Sequence, residues 1–294
     1  VQALYAKGTR AESGIPGPGY WQNTADYDIN VTFDPGTRRV AGTVGIQYQN
    51  SSPDSLRQVW FKLYPNLYQK GAPRNKAFAP EDIGDGMKIS ALTVNEQVFD
   101  VSQLPIEATN MVVPLRRAIG AHQTATVKAT YSYFLNKGSH QRTGEIEPGA
   151  DFVAYFFPRI AVYDDLDGWN KVPYTGDQEF YNDFCNFKAA ITVPRDFVVW
   201  ATGDLTNTDQ VLAPKYAQRL RAAEQQDAIT AVITADDAKR HDITAPNAQN
   251  TWRFEARNVT DFVFATADHY AWQSTSLVVD PATKRRTRVD AVYN

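Results

Sequence analysis

Apolar and polar residues alternate along most of this chain with the period of a β-strand, two residues per repeat. Over 25–33 (ADYDINVTF), Tyr27, Ile29, Val31 and Phe33 fall on one face. Asp34-Pro35-Gly36-Thr37 supplies a turn, Pro setting its own φ and Gly tolerating a positive one. The alternation resumes over 40–50 through Val44, Ile46 and Tyr48, which predicts a hairpin over 25–50. A turn at 51–55 (SSPDS) leads to a third strand over 58–64 (QVWFKLY), closed by Pro65-Asn66. Three consecutive strands with short turns predict an antiparallel sheet with one solvated face.

Further on, 65–86 is loose and rich in Gly and Pro, a surface excursion by its length. A second hairpin is predicted over 87–101 around Asn95, followed by strands over 111–115 and 124–135. Another polar, Gly-rich excursion occupies 136–150, and strands follow over 186–193 and 197–202. Then the period changes. Tyr216, Leu220 and Ala223 share a helical face, and 235–241 reads as one or two helical turns. Strands return over 228–234, 251–258 and 261–267, and a last hairpin spans 277–292 around Pro281. That makes about fourteen strands and two or three short helices. The fold class is mainly β, large twisted antiparallel sheets packed as a sandwich. Residues 1–19, broken by Gly14, Pro16, Gly17, Pro18 and Gly19, form an extended arm on the surface.

Composition adds exclusions more than assignments. A chain of 294 residues is long enough for a sizeable core. Its net charge of −3 carries no basic footprint for nucleic acid. No run of about 18 apolar residues is present, so no membrane span is predicted. The lone Cys185 has no partner for an internal disulfide and reads as a small buried hydrophobe. The start, VQALYAKGTR, has neither Met nor an apolar leader core, the expectation being a processed start.

Candidate chemistry concentrates in one stretch, where 151–187 holds eleven aromatic residues in 37 positions. Such density either stacks a sugar or peptide side chain or fills the space between sheets. Within it Asp164, Asp165 and Asp167 precede Gly168, as in part of a calcium loop. No Glu closes that loop at the required offset, so a hydrogen-bonded turn is the competing reading. A weaker acidic loop at 81–86 (EDIGDG) reads as turn chemistry. The four histidines, His122, His140, His241 and His269, form no HExxH helix. G-x-S-x-G elbows and phosphate-cradling Gly loops are absent as well, so nothing supports catalysis by this chain alone.

Several segments resemble the aminopeptidase N-like gluzincin family. The run 20–66, with its SSPD turn and VWFKLYPN strand, is similar to the family's "NNSPD" and "LWLHLYPN". FPRIAVYDD at 157–165 resembles the "WYPRIAVYDD" of bacterial members. ITVP at 191–194, ATGDL at 201–205 and WRFEARNVTDF at 252–262 look like the family's "VTITVP", "AATGEL" and "WHFKAENVRDF". Together these matches run in order from about residue 20 to 272. The resemblance implies a saddle-like amino-terminal β domain over 20–272, with 273–294 as a hairpin opening the next domain. It implies a non-catalytic part of a zinc-dependent aminopeptidase, since the zinc-binding HExxH and its later Glu belong to the domain that follows. No cofactor is then expected in this chain. Its implied partners are its own catalytic domain and a peptide substrate, and its implied location is outside the cytoplasm (periplasm, surface or medium). In the family this domain contributes a polar residue near the substrate amine. That position falls near Glu147, beside Glu145, although EIEP here departs from the family's "QFEP"-type motif. The competing functional reading is a stand-alone β-sandwich binding module for carbohydrate or peptide, and a third is a scaffold without a small ligand.

Overall fold

Strand alternation translates directly into layers. The computed structural model describes residues 2–294, with side chains described from Leu4 onward. Thr24–Asp34 alternates exposed and buried positions along its whole length, and Tyr27, Ile29, Val31 and Phe33 all face the core. It sits inside an eight-stranded sheet. In spatial order the strands are Asp204–Leu205, Gln249–Val259, Cys185–Pro194, Thr24–Asp34, Arg39–Gln49, Thr124–Phe134, Lys88–Val94 and Gln97–Val98. Every neighbouring pair in this sheet is antiparallel except one: Thr24–Asp34 and Cys185–Pro194 run parallel, Asp26 opposite Asn186.

Two four-stranded sheets cover the apolar face of this large sheet. One comprises Val198–Ala201, Phe264–Ala267, Ala150–Val153 and Gly144–Glu147. The other comprises Arg159–Ile160, Leu56–Lys62, Asn110–Ile119 and Ile106–Glu107. One cluster of buried side chains joins all three layers, for instance Phe33 edge-on to Phe264 with ring centroids 6.1 Å apart. A separate sheet of Thr230–Ile233, Ala271–Asp280 and Arg285–Tyr293 leaves its last strand with a free edge among the described residues. Gly203 is where the chain crosses from the edge of a four-stranded sheet to the edge of the large one. Its φ is +89°, and a Cβ there would lie 2.2 Å from the carbonyl oxygen of Glu255, so only glycine fits.

The mainly β sandwich is the expected class, and the differences from expectation are local. Four α-helices are present among the described residues: Gln2–Lys7, Thr208–Val211, Pro214–Ala223 and Ala235–Ala238. The first lies in the arm, where QALYAK is a run of good helix formers and Leu4 is buried. Pro214 opens the longest helix at a position where a missing N–H costs nothing, and Tyr216, Ala217, Leu220 and Ala223 form its buried face. The last has a capping box between Thr234 and Asp237. In the second hairpin Asn95 and Glu96 both take positive φ, the geometry of a tight two-residue turn, and the return strand is only Gln97–Val98. The polar stretch 136–150 contains Gly144–Glu147 and the start of Ala150–Val153, each too short for alternation to register.

Ile29 is fully buried at the centre of the core. Replacing it with alanine removes apolar area and leaves a cavity, at a cost of about 2–5 kcal/mol. A urea titration should show a lower midpoint with an unchanged slope, and an unchanged midpoint would remove Ile29 from the core.

Candidate functional site

The aromatic stretch folds mainly as a buried corner. Phe156, Phe157 and Phe187 are fully buried, while Tyr64, Tyr155, Tyr174 and Phe180 make a second cluster with centroids 4.7 to 6.4 Å apart. Arg159 crosses this corner at 2% exposure. Its guanidinium donates to Asp261 Oδ1 and to the Asp183 carbonyl, each at 3.2 Å, and lies over the rings of Tyr27 and Phe187. Burial pushes the neighbouring Cys185 thiol up to about 11, so it stays protonated and inert.

Two of the three carboxylates of the acidic loop are engaged by partners from the protein itself. Asp164 Oδ1 accepts the amides of Leu166 and Asp167 at 3.0 and 2.9 Å, and Oδ2 accepts the Tyr181 hydroxyl at 2.9 Å. Asp165 receives Arg10 from the arm in a two-pronged contact of 3.0 and 2.7 Å. That guanidinium holds the Asp165 carboxyl below the usual range. Asp167 contributes its amide to the turn. Among the described residues no three His, Cys, Asp or Glu side chains are grouped so as to hold a metal ion.

Glu145 and Glu147 lie on Gly144–Glu147, an edge strand of its sheet. Glu147 is a meeting point. Asn294 Nδ2 approaches its two oxygens at 3.3 and 3.4 Å, and His269 Nε2 lies 3.5 Å away. His269 Nδ1 in turn is 2.6 Å from Asp268 Oδ1. The Tyr270 hydroxyl, followed by Asn294 and His269, holds the Glu147 carboxyl below its ordinary value. Residues 268–270 are over 100 positions from Glu147 in the chain, and no spacing or motif marks them in advance. Glu145 sits opposite Asp151 on the neighbouring strand. Asp151 is 2% exposed and its Oδ1 has no hydrogen-bond partner among the described residues. Burial, and then the charges of Glu145 and Asp268, push its carboxyl up to about 7. Lys62 is a second buried charge the sequence does not reveal. Its ammonium donates to Asn110 Oδ1, Asn170 Oδ1 and the Val172 carbonyl at 2.8, 3.1 and 2.8 Å, and burial lowers it to about 8.

No known family profile matches the chain, and no curated protein matches it in sequence. Solved structures do. A mutant M1 zinc metallopeptidase from Deinococcus radiodurans is 14% identical, with a TM-score of 0.51 over 95% of this chain and 49% of its own. The mutant from the same organism bound to a Tyr-Ser-Ala substrate is 15% identical, with a TM-score of 0.51 and the same coverage. A two-domain M1 zinc metallopeptidase mutant bound to L-arginine is 14% identical at the same score and coverage. This chain thus spans about half the length of the structures it resembles, and at such identity the likeness establishes the fold. The zinc named in those structures finds no fitting set of ligands among the described residues here.

The Asp151 carboxyl is raised from an unfolded value of about 3.9 to about 7. The folded chain then binds more protons between those values, so stability falls as pH rises from about 4 through about 7. Asp183, also pushed up to about 7 by burial, adds to the same slope. Asp151→Asn should flatten the fall and raise the melting temperature at pH 8, measured by calorimetry across that range. A variant with an unchanged pH slope would show that Asp151 titrates normally.

Proposed function

We propose that this chain is the non-catalytic amino-terminal β domain of a zinc-dependent aminopeptidase-like metallopeptidase. In this reading it packs on the catalytic domain and borders the substrate cleft through Glu147. The observation that carries it is the fold likeness over 95% of this chain to half of an M1 zinc metallopeptidase. The final hairpin supports it, because Leu277, Val278, Val279, Val289 and Tyr293 are all exposed there beside a free strand edge. Exposed apolar side chains gathered on one hairpin fit a surface that a further domain covers. Glu147 presents a carboxylate beside that hairpin, held in orientation by Tyr270 and His269. A carboxylate so placed pairs with the protonated amine of a peptide's first residue.

Two measurements test the reading. The purified chain, with or without added zinc, should release no product from leucine p-nitroanilide, whereas the protein that carries the HExxH domain should. Turnover by the chain alone would overturn it. In that longer protein, Glu147→Gln loses a charge-assisted hydrogen bond, roughly 1.5–3 kcal/mol. KM should rise about tenfold or more with kcat little changed, and an unaltered KM would remove Glu147 from the cleft.

A further inference from the structure

Two turns meet beside Glu147. One, at 148–149, ends the strand that carries it, and the other, at 268–270, links Phe264–Ala267 to Ala271–Asp280. The Asp268 amide donates to the Gly149 carbonyl at 3.1 Å. Gly149 has a φ of +85°, and a Cβ there would stand 2.6 Å from Asp268 Oδ1, so the close approach of the two turns depends on glycine. That approach sets His269 between two carboxylates. Its Nδ1 is 2.6 Å from Asp268 Oδ1 and its Nε2 is 3.5 Å from Glu147 Oε1. An ionised carboxylate only accepts, so Nδ1 keeps its hydrogen and Nε2 is the nitrogen that gains or loses a proton. The Tyr270 ring stands edge-on to the imidazole at 5.0 Å, and Asn294, just past the last strand, is a neutral donor to Glu147. Behind Asp268 lies the buried Asp151, on which the charges of Glu145 and Arg38 also act.

We propose that His269 is a positioning residue that gates Glu147 by its charge, leaving the carboxylate open to a peptide's protonated amine when the imidazole is neutral. This rests on the reading of Glu147 as the group that meets that amine. With Nε2 protonated, the imidazolium donates to Glu147 and puts a positive charge where the ammonium would come. Two cations then compete for one carboxylate. With Nε2 deprotonated, its lone pair and the carboxylate face each other as two acceptors, and an ammonium supplies the hydrogens that both lack. The side chains of His269 and Glu147 are 33% and 36% exposed, so an amine reaches them and solvent also screens the pair. The coupling therefore belongs at the low end of the usual range, about fivefold in affinity. Histidine changes charge between about pH 5 and 8, so recognition weakens as pH falls through that window. A peptide's α-amino group stays protonated below about pH 7.7, so its own titration produces no loss on the acid side.

The test measures KM for leucine p-nitroanilide from about pH 5.5 to 8 in the longer protein that carries the HExxH domain. Each variant is read as a ratio to the unaltered protein, so that ionisations elsewhere cancel. His269→Gln never charges: its KM should match near pH 8 and be about fivefold lower near pH 5.5. His269→Lys is charged throughout and should do the reverse, matching at the acid end with a KM about fivefold higher near pH 8. Lost packing alone would move both variants the same way at every pH, and that result would overturn the gate. Asp268→Asn removes the carboxylate that favours the imidazolium, so the acid-side rise in KM should set in at lower pH. The chain alone gives a second measurement that needs no longer variant to fold. There the 13C resonance of the Glu147 carboxyl should follow the His269 ring through its titration, and that shared step should vanish in His269→Gln; its absence from the unaltered chain would overturn the gate. Glu147→Gln separates the two levels. An unaltered KM there would overturn the amine reading and the gate together. A raised KM there, beside flat pH ratios for both histidine variants, would overturn the gate alone.

Discussion

The buried guanidinium of Arg159 is the contact on which the sandwich closes. It enters on a two-residue strand paired with Leu56–Lys62, and reaches the Asp261 carboxylate beyond the end of Gln249–Val259. It also reaches the Asp183 carbonyl just before Cys185–Pro194, and the Tyr27 ring of Thr24–Asp34. Four segments far apart in the chain thus share one charge. Stripping water from a guanidinium is costly, and only simultaneous arrival of all its partners offsets that cost. Such a group adds little net stability over a hydrophobic substitute, but it penalises every arrangement in which one segment is displaced. The aromatic rings around it have the same character, edge-on and stacked at set distances, with little slack for repacking.

The same arrangement separates structural from available chemistry. Carboxylates in the corner are mostly consumed: Asp261 by Arg159, Asp165 by Arg10, Asp164 by a turn and a phenol. The sheet of Gly144–Glu147 and Ala150–Val153 differs. Asp151 is buried with an unpartnered oxygen, and Glu147 is held by Tyr270, His269 and Asn294. Aromatic density therefore marks the framework.

How far this was legible in the residues follows from the range of each signal. Alternation over eleven residues is unmistakable, so Thr24–Asp34 and its hairpin partner Arg39–Gln49 stand where the pattern put them. Four-residue strands such as Gly144–Glu147 and Ala150–Val153 carry no period, and a stretch of Gly, Glu and Lys masked them. The parallel neighbour of Thr24–Asp34 was hidden because pairing direction depends on where the chain travels between the two strands. The Asp164–Asp167 loop showed its turn chemistry locally, but the arm's Arg10 lies 155 residues from Asp165, and no local pattern records such a contact. Only family likeness points to Glu147. Its neighbours His269 and Tyr270 were invisible until strands brought 147 and 269 side by side.

The one parallel pairing in the large sheet also has a consequence in time. Asp26 meets Asn186 across 160 positions, and until that later segment exists the first strand's edge has nothing on it. At ribosomal speeds of about 5–20 residues per second, the gap lasts on the order of ten to thirty seconds. During that interval the newly made hairpin presents an uncovered apolar face and a row of open backbone groups. Birth of this fold on the ribosome is thus a waiting problem, and the interval before residue 194 emerges is when the nascent chain most needs shielding from its neighbours.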